Sequence, residues 1–222
     1  MTSQNKTLIT IMGPTAIGKT SLSILLAKYF NTEIISCDSR QFFKEMTIGT
    51  AVPSRKELEA AIHHFIQDRS IFEDYNVGSF ERDALQTLEK LFQKHDVVIM
   101  VGGSGLYVQA VLKGLDDFPK VDPSIRVRLN HVLETEGMIS LQQQLKELDL
   151  QTYNTIKLDN PQRVIRALEI CIGTELPYSS FTGKTKEKRN FNSITVGLHA
   201  DRQKIYDLSL IHISEPTRPN FI

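Results

Sequence analysis

The stretch GPTAIGKT, Gly13–Thr20, constrains the fold of this chain more than any other feature of its sequence. It has the spacing of a phosphate-binding loop, which connects a buried strand to a helix. The run TLITIM before it, residues 7–12, is apolar and β-branched, as expected for a parallel strand covered on both faces. The segment after it, residues 19–30, has the apolar spacing of a helix that is buried along one side. The apolar residues of that side are Leu22, Leu25, Leu26 and Tyr29.

Strands and helices alternate through the first half of the chain. Residues 33–37 (EIISC) and 96–101 (DVVIMV) are short apolar runs that predict two further buried strands. Between them, residues 78–95 predict an amphipathic helix. Its apolar face consists of Ala84, Leu85, Leu88, Leu91 and Phe92. This alternation predicts an α/β fold, a P-loop NTPase-like parallel sheet with helices on both faces.

The pattern changes near residue 115, where prolines precede a series of predicted helices. Asp122 is a suitable N-cap and Pro123 a suitable first-turn residue for the first of them. Two more helices are predicted at about 139–148 and 160–173. The sequence therefore predicts a helical insertion domain within the α/β fold.

The predicted insertion covers residues 116–185, and the catalytic core consists of 1–115 and 186–207. The core resumes in the run FNSITVGLHA, residues 191–200, which has the apolar and β-branched character of another strand.

Composition excludes several classes of protein. Among 222 residues, 41% are hydrophobic and 23% are charged, the balance of a globular protein rather than a disordered one. No apolar run approaches the roughly 18–20 residues of a membrane span, and the N-terminus does not resemble a signal peptide. With only Cys37 and Cys171, no disulfide framework is expected, so we predict reduced thiols in a cytoplasmic protein without membrane association. The formal net charge is zero, so a nucleic acid could be recognised only by local basic clusters.

The residue types of the loop favour binding of a phosphate group. Gly13 and Gly18 allow the backbone to curl so that successive N–H groups point at an anion, and the following helix contributes its N-terminal partial charge. Lys19 can reach the outermost phosphate, and Thr20 can hold a Mg²⁺ ion that bridges phosphate oxygens. The predicted diphosphate- or nucleotide-binding residues are Gly13, Pro14, Thr15, Ala16, Ile17, Gly18, Lys19 and Thr20.

The strand predicted at 96–101 lacks a carboxylate at its end, because it runs into GGSG. Enzymes that hydrolyse ATP or GTP need such a carboxylate to organise magnesium and water. Asp38 is the carboxylate at a strand end, and because its strand is adjacent to the loop it should face the same crevice. Three roles remain open for Asp38: a magnesium ligand, a proton acceptor, or a turn residue that caps the next segment.

A second glycine cluster, VGGSGLY at 101–107, does not fit the dinucleotide-binding pattern Gly-x-Gly-x-x-Gly. Two interpretations are equally compatible with it. The glycines could allow a substrate to approach the backbone closely, or they could form a tight strand-to-helix turn with Ser104 as the helix cap.

Several segments together resemble one family, the tRNA dimethylallyltransferases, also called tRNA isopentenyltransferases. The similar segments, in chain order, are GPTAIGKT, DSRQFFKEMTIGTAVP, HHFIQD, VGGSGLYVQAVLKGL, DPSIRVRL and DNPQRVIRALEI. They cover nearly all of residues 7 to about 206, and the combination of DSRQ, GGSGLY and NPQRVIRALE is highly specific. The phosphate-binding loop alone is shared by many kinases and NTPases.

The resemblance implies a prenyl transfer from dimethylallyl diphosphate to the exocyclic N6 amine of the adenine next to the anticodon, on its 3′ side. The loop would hold the diphosphate as leaving group, with Mg²⁺ on Thr20 as cofactor. Asp38 would accept the proton of the amine, Thr15 would orient the leaving oxygen, and Lys19 would stabilise its charge. The partners implied are dimethylallyl diphosphate and the anticodon stem-loop of tRNA, bound by a monomer.

The resemblance also implies a set of tRNA-binding residues. They are Asp38, Ser39, Arg40, Gln41, Ser104, Arg126, Gln162, Arg163, Val164, Ile165 and Arg166. Arg163 and Arg166 are three residues apart, so on a helix they share a face.

Two alternative functions remain compatible with the residues themselves. One is a small-molecule P-loop kinase, in which Lys19 binds ATP and Asp38 accepts a hydroxyl proton. The other is a non-catalytic module that binds tRNA. The family pattern stops near DRQKIYD, and residues 208–222 form a tail outside it, where Pro216 and Pro219 exclude a regular helix.

Overall fold

The computed structural model of the protein describes residues 6–183, 188–201 and 203. These residues form two compact units, and the chain passes from the first to the second after Leu115. Residues 188–201 and 203 belong again to the first unit. We call the first the α/β unit and the second the helical unit. The tail predicted at 208–222 lies outside the described residues.

The α/β unit contains a five-stranded sheet in the order β3-β2-β4-β1-β5, and every strand pair is parallel. Its strands are β1 Thr7–Met12, β2 Ile34–Ser36, β3 His63–His64, β4 Val97–Gly102 and β5 Asn192–Gly197. The predicted parallel α/β sheet is therefore confirmed. The sequence did not predict β3, because two residues are too few to show a periodic pattern.

Helices cover both faces of this sheet. They are α1 Lys19–Phe30, α2 Arg55–Ala60, α3 Val77–Phe92 and α4 Gly105–Lys113. On one face, Phe80, Ala84 and Leu88 of α3 pack in a cluster with strand residues such as Leu8 and Met100. On the other face, α1 packs against β1 and β4. The apolar face predicted for α3 is confirmed, since Leu85 and Phe92 pack at the edge of the same cluster.

The buried side of α1 differs in part from the prediction, since Leu22 and Leu26 pack against the core but Leu25 and Tyr29 do not. The helix buries Ser23, Ile24 and Ala27, whereas Leu25 is 65% exposed and Tyr29 80% exposed. Small side chains allow the helix axis to lie close to the sheet, and the Ser23 hydroxyl donates a hydrogen bond to the Thr20 carbonyl at 2.8 Å. Because this bond satisfies the hydroxyl, burial of Ser23 leaves no unpaired polar group.

The helical unit consists of four helices around an apolar core of its own. They are α5 Pro123–Glu136, α6 Met138–Leu148, α7 Leu150–Thr155 and α8 Pro161–Thr174, followed by a 3₁₀ turn at Tyr178–Phe181. Asp122 caps α5 by accepting a hydrogen bond from the Ser124 N–H at 2.8 Å, as predicted. The predicted insertion domain covers this stretch of the chain. No helix in the described residues of either unit combines the length and apolar character that a bilayer span requires.

Asp149 connects α7 to the 3₁₀ turn within the helical unit. Its carboxylate accepts hydrogen bonds from the backbone N–H and hydroxyl of Thr152, at 2.9 and 2.6 Å. It also accepts bonds from the backbone N–H and hydroxyl of Ser179, at 2.7 and 3.1 Å. Burial by itself would raise the pKa of Asp149, but these bonds outweigh burial and lower the pKa below its usual value.

Candidate active site

The phosphate-binding loop begins where β1 ends and finishes at the first residue of α1. Gly18 is the N-cap of α1, with φ of +93°, a conformation that side chains with a Cβ rarely adopt. Gly13 is required for a different reason. A Cβ at this position would lie 2.9 Å from the carbonyl oxygen of Leu198, just beyond β5. Gly18 therefore determines the backbone conformation of the loop, and Gly13 allows the loop to pack closely against the chain beyond β5.

Lys19 lies within this loop, and its ammonium group donates to the carbonyl oxygen of Pro14 at 2.6 Å. Burial lowers the pKa of Lys19, although the nearby negative charge of Asp38 acts in the opposite direction. A partly desolvated ammonium group gains more from an anion than a fully solvated one does. The loop therefore has the electrostatic character of a site for a phosphate or diphosphate.

The loops after β1, β2 and β4 meet at one edge of the sheet. A Cβ at Gly103 would lie 3.8 Å from the Gly13 carbonyl oxygen and 3.9 Å from Asp38 Oδ2. A Cβ at Gly102 would lie 2.6 Å from Cys37 Sγ, which is too close for any side chain. Packing against Cys37 therefore explains why Gly102, the last residue of β4, has no side chain, whereas a Cβ would fit at Gly103 and at Gly105.

Asp38 follows β2, but β2 is not next to β1, because β4 lies between them. The predicted adjacency was therefore wrong, although Asp38 still reaches the loop by way of Gly103. Asp38 Oδ1 accepts a hydrogen bond from the Arg40 N–H at 3.1 Å, as in an aspartate turn. Its other carboxylate oxygen, Oδ2, is the atom that faces Gly103. The turn role and a chemical role are thus compatible, since each uses a different oxygen.

Ser104 connects the loop after β4 to the loop after β2. It stands at the N-cap of α4 but makes no side-chain cap. Instead, its Oγ accepts a hydrogen bond from the Ser39 N–H at 3.1 Å and donates to the Ser39 hydroxyl at 3.2 Å. The cap interpretation is therefore confirmed for the position of Ser104, whose carbonyl oxygen accepts the Val108 N–H at 3.1 Å, but its side chain bonds to the neighbouring loop and not to the helix.

A cavity of about 650 Å³ opens at this edge of the α/β unit. Its lining includes five of the predicted loop residues, Thr15, Ala16, Gly18, Lys19 and Thr20, together with Asp38 and Gln41. Among the described residues, the predicted Gly13, Pro14, Ile17, Ser39, Arg40 and Ser104 are outside this lining. The loop and the carboxylate that the sequence singled out thus share one cavity.

The sequence analysis did not identify a second part of the cavity lining. It comprises Thr47, Gly49, Thr50, Ala51, Val52, Pro53, Ser54, Glu57, His63 and Ile66. Burial lowers the pKa of His63, whose Nδ1 lies 2.8 Å from the Ala61 carbonyl oxygen. The motif containing TIGTAVP was the available signal, but nothing in its residue types indicates a cavity wall.

The donor set of the cavity fits a magnesium ion that is held mainly by phosphate. The hydroxyl of Thr20 and the carboxylate of Asp38 line the same space. No group of three or more His, Cys, Asp or Glu residues in the described parts of the chain could form a metal cage. Mg²⁺ commonly binds through one or two protein oxygens, substrate phosphates and water, so such a cage is not needed.

Two of the residues predicted to bind tRNA lie in the core of the helical unit. Val164 and Ile165 are 0% exposed and pack with Leu141 and Leu145 of α6. Their side chains therefore stabilise the helix bundle and do not face a ligand, which corrects the prediction. Gln162 and Arg163, immediately before them on α8, are exposed.

Two arginines of the helical unit contact a carboxylate that the sequence analysis did not identify. Glu169 on α8 is buried and accepts two hydrogen bonds from Arg126 of α5, both at 2.7 Å. Arg166 lies 3.4 Å from the same carboxylate, and its guanidinium carbon lies 5.6 Å from the centre of the Phe118 ring. Burial would raise the pKa of Glu169, but the two arginines outweigh it and lower the pKa. The spacing of Arg166 and Glu169 on one helix was an available signal for this cluster.

The chain is similar in sequence and in structure to proteins of one known family. A profile of the IPP transferase family matches residues 41–208 of the chain. The chain belongs to the IPP transferase family. The resemblance that the sequence motifs indicated is thereby confirmed.

Two members of the IPP transferase family illustrate the degree of similarity. The tRNA dimethylallyltransferase of Flavobacterium johnsoniae is 58% identical over 207 residues, which cover 90% of this chain and 67% of the relative. That of Christiangramia forsetii is 62% identical over 200 residues, which cover 90% of this chain and 66% of the relative. The chain thus spans about two thirds of the length of these curated relatives.

Solved structures of the family share the fold. The full-length tRNA isopentenylpyrophosphate transferase of Bacillus halodurans is 32% identical, with a TM-score of 0.60 over 94% of this chain and 65% of its own. A eukaryotic dimethylallyltransferase acting on tRNA is 26% identical, with a TM-score of 0.77 over 94% of this chain and 53% of its own. These similarities support the P-loop NTPase-like architecture.

Proposed function

We propose that this chain is a tRNA dimethylallyltransferase, which transfers a dimethylallyl group from dimethylallyl diphosphate to the N6 amine of the adenine 3′ to the anticodon. The observation that carries the proposal is the shared cavity, which is lined by a phosphate-binding loop and by the carboxylate of Asp38. The strand between them, β4, ends in Gly102 and so has no carboxylate at its end to organise magnesium and water for hydrolysis. This arrangement suits an anion that departs as a leaving group better than one that is hydrolysed.

The diphosphate is the leaving group in this reaction. As the bond between the allylic carbon and oxygen breaks, negative charge grows on the diphosphate. The amide groups of the loop and the ammonium group of Lys19 stabilise that charge as it develops, and Thr15 orients the leaving oxygen. Mg²⁺, held by Thr20 and the diphosphate oxygens, would neutralise further charge on the leaving group when it is bound.

Asp38 acts on the other reactant. The adenine amine is a weak nucleophile because its lone pair is conjugated with the ring. As the bond between N6 and the allylic carbon forms, a proton leaves the nitrogen and Asp38 accepts it, a role worth about 10²–10⁴ in rate. The adenine has to leave its stack to reach a cavity of this kind.

The tRNA is held in part by exposed basic residues of the helical unit. Arg163 on α8 is exposed, and Arg126 and Arg166 are each partly exposed beside Glu169. Such residues bind phosphates of the anticodon stem-loop. These contacts help to position the adenine but do not depend on the nucleotide sequence of the tRNA. We propose that the enzyme works as a monomer in the cytoplasm.

A transfer assay tests this proposal. Unmodified tRNA and labelled dimethylallyl diphosphate are incubated with the protein and Mg²⁺, and ATP with small-molecule acceptors serves as the comparison. We expect label in the RNA, and digestion should place it on the adenine 3′ to the anticodon. Phosphate transfer from ATP without label in the RNA would contradict the proposal in favour of a kinase. Binding of tRNA with neither product would favour a non-catalytic binding module.

A further inference from the structure

The side-chain amide of Gln41 makes three hydrogen bonds inside the α/β unit. Its amide nitrogen donates to the carbonyl oxygens of Ala51 and Thr50, at 2.8 and 3.2 Å. Its amide oxygen accepts a hydrogen bond from the Ser36 hydroxyl at 3.2 Å. A primary amide has two N–H donors, so both are in use. Gln41 therefore has no donor left with which to read a base or bind a phosphate.

These bonds join two parts of the cavity. On one side, the Ser36 hydroxyl accepts a hydrogen bond from the Asp38 N–H at 3.5 Å, and the Gln41 N–H donates to the Asp38 carbonyl oxygen at 3.0 Å. On the other side, Thr50 and Ala51 belong to the cavity lining. A chain of hydrogen bonds therefore leads from the backbone of Asp38, through Ser36 and Gln41, to the lining at residues 50 and 51.

The backbone of residues 50 and 51 depends on Gln41 more than the rest of this lining does. Residues 48–51 form a turn outside any helix or strand, and Ile48 is 96% exposed. The side chain of Thr50 is buried and donates to Met46, and Thr47 accepts a hydrogen bond from Gln67 at 2.8 Å. Among the described residues, however, the carbonyl groups of Thr50 and Ala51 accept hydrogen bonds from Gln41 alone. Ala51 has φ of +51°, a conformation that is unfavourable for alanine and has to be held by its surroundings. Because these two carbonyl groups have no other hydrogen-bond donor in the described parts of the chain, loss of the Gln41 bonds should let residues 50 and 51 move.

We propose that Gln41 is a positioning residue that fixes residues 50–51 of the cavity against the loop carrying Asp38, and that it thereby sets affinity for the allylic part of the prenyl diphosphate. This inference rests on the proposed function, and it replaces the tRNA contact that the family resemblance implies for Gln41. The diphosphate itself binds to the loop of residues 13–20, which Gln41 does not contact among the described residues. Loss of Gln41 should therefore affect the allylic group and spare the diphosphate.

Calorimetry with two ligands and Mg²⁺ tests the proposal. We expect Gln41→Ala to bind dimethylallyl diphosphate about 10-fold more weakly, the size of losing roughly two hydrogen bonds offset by partial relaxation. Affinity for inorganic diphosphate should change less than about 2-fold, and affinity for tRNA should be unchanged. Gln41→Glu keeps an oxygen to accept the Ser36 hydroxyl but cannot donate to the two carbonyls, so it should fail in the same way.

Gln142→Ala is the matched control variant. Gln142 also donates from its side-chain amide to a distant backbone carbonyl, that of Leu158, at 2.9 Å, but it lies in the helical unit. It should leave the affinity for both ligands unchanged. Weaker tRNA binding in the Gln41 variants, with dimethylallyl diphosphate affinity retained, would overturn the proposal and restore the tRNA contact.

Amide hydrogen exchange separates this inference from the proposed function. In the ligand-free Gln41→Ala protein, the amides of residues 47–53 should exchange faster than in the parent, and those of residues 13–20 should not. Unchanged exchange at 47–53 would overturn the role of Gln41 even if the parent transfers the prenyl group. If instead the parent binds dimethylallyl diphosphate no better than inorganic diphosphate, the proposed function fails, and the exchange rates alone decide whether Gln41 holds the lining.

Discussion

The phosphate-binding loop of the α/β unit and the segment Gln162–Arg166 of the helical unit use consecutive residues in opposite ways. In the loop, successive backbone N–H groups can face an anion, so a continuous stretch of sequence can form one site. In α8, only side chains about three or four apart share a face, so Val164 and Ile165 are buried between two arginines that are not. When every residue of a family motif is assigned to a binding site, the assignment therefore works well for a loop. It works poorly for a helix, where part of the motif is buried.

The basic residues of the two units also differ in their surroundings. Lys19 is a partly buried cation, and its pKa is lowered mainly by burial. Arg126 is paired with a buried carboxylate, and the hydrogen bonds to Glu169 raise its pKa. A desolvated cation gains most from a new anion, whereas a paired one gains less. We therefore expect the α/β unit to hold the diphosphate, and we expect the helical unit to bind RNA phosphates mainly through exposed residues such as Arg163 rather than through the paired Arg126.

The largest effect is expected from Lys19→Ala. Removing the ammonium group should lower the turnover of prenyl transfer at least about 10²-fold, because the charge that develops on the diphosphate loses its nearest cation. The thermal unfolding midpoint should stay close to that of the parent. Lys28→Ala, at an exposed position of the same helix, is the control and should keep full activity. Near-normal turnover of the Lys19 variant would show that the loop does not hold the leaving group.

Glu169→Gln should affect the helical unit and not the cavity. It leaves the guanidinium groups of Arg126 and Arg166 without their carboxylate, and because both side chains are 42% exposed, water offsets part of the loss, so the cost should be about 1–2 kcal/mol. Urea denaturation should report this loss, and tRNA affinity should fall while affinity for dimethylallyl diphosphate is kept. The exposed Glu134→Gln, on α5, is the control. Equal weakening of both ligands would contradict the separation of roles between the units.

Neighbouring substitutions on α8 test the periodicity directly. Ile165→Val should cost about 0.5–1.5 kcal/mol of unfolding free energy without changing tRNA affinity, because it removes one buried methylene. Arg163→Ala should have the opposite result, with little loss of stability and weaker tRNA binding. The loss of binding should shrink at high salt, as expected for a phosphate contact. Weaker tRNA binding by folded Ile165→Val would contradict the assignment of that side chain to the core.

The smallest effect concerns acid stability of the helical unit. The pKa of Asp149 is lowered in the folded protein, so this residue stabilises the fold above its unfolded pKa of about 3.9 and loses that contribution as pH falls through the folded value. Below pH 4 the free energy of unfolding should fall as pH falls, with a slope for this group of at most about 1.4 kcal/mol per pH unit. Hydrogen exchange of α7 between pH 6 and 3 measures it. Asp149→Asn should flatten the dependence, and an unchanged slope would contradict the role of this carboxylate.

The sequence predicted the parts of the fold that repeat a simple pattern. The strand of residues 7–12, the loop after it and the apolar face of α3 follow from local spacing, and the structure has them where predicted. The buried side of α1 was predicted only in part: Leu22 and Leu26 pack against the core, but close packing against the sheet favours Ser23 and Ala27 over the larger Leu25. Small buried residues do not appear in a search for apolar periodicity.

Features that depend on contacts distant in sequence could not be predicted. The position of β4 between β1 and β2 in the sheet depends on tertiary packing, and the local residue pattern of the strands does not predict it. The pairing of Ser104 with Ser39 and the bonds of Gln41 to residues 50 and 51 arise only when separate loops meet. Residue types identified these positions as polar, but only the geometry shows which of them support the site and which can meet a ligand.

The most direct test of the account is the behaviour of Asp38→Asn during a magnesium titration. The substitution keeps the size of the side chain and one acceptor oxygen but removes the charge and most of the basicity. If Asp38 is the base, affinity for dimethylallyl diphosphate should stay near that of the parent at every Mg²⁺ concentration, while the single-turnover rate of prenyl transfer falls at least about 10²-fold. Weakened diphosphate binding, together with a rate that added Mg²⁺ restores, would contradict the account and make Asp38 a metal ligand.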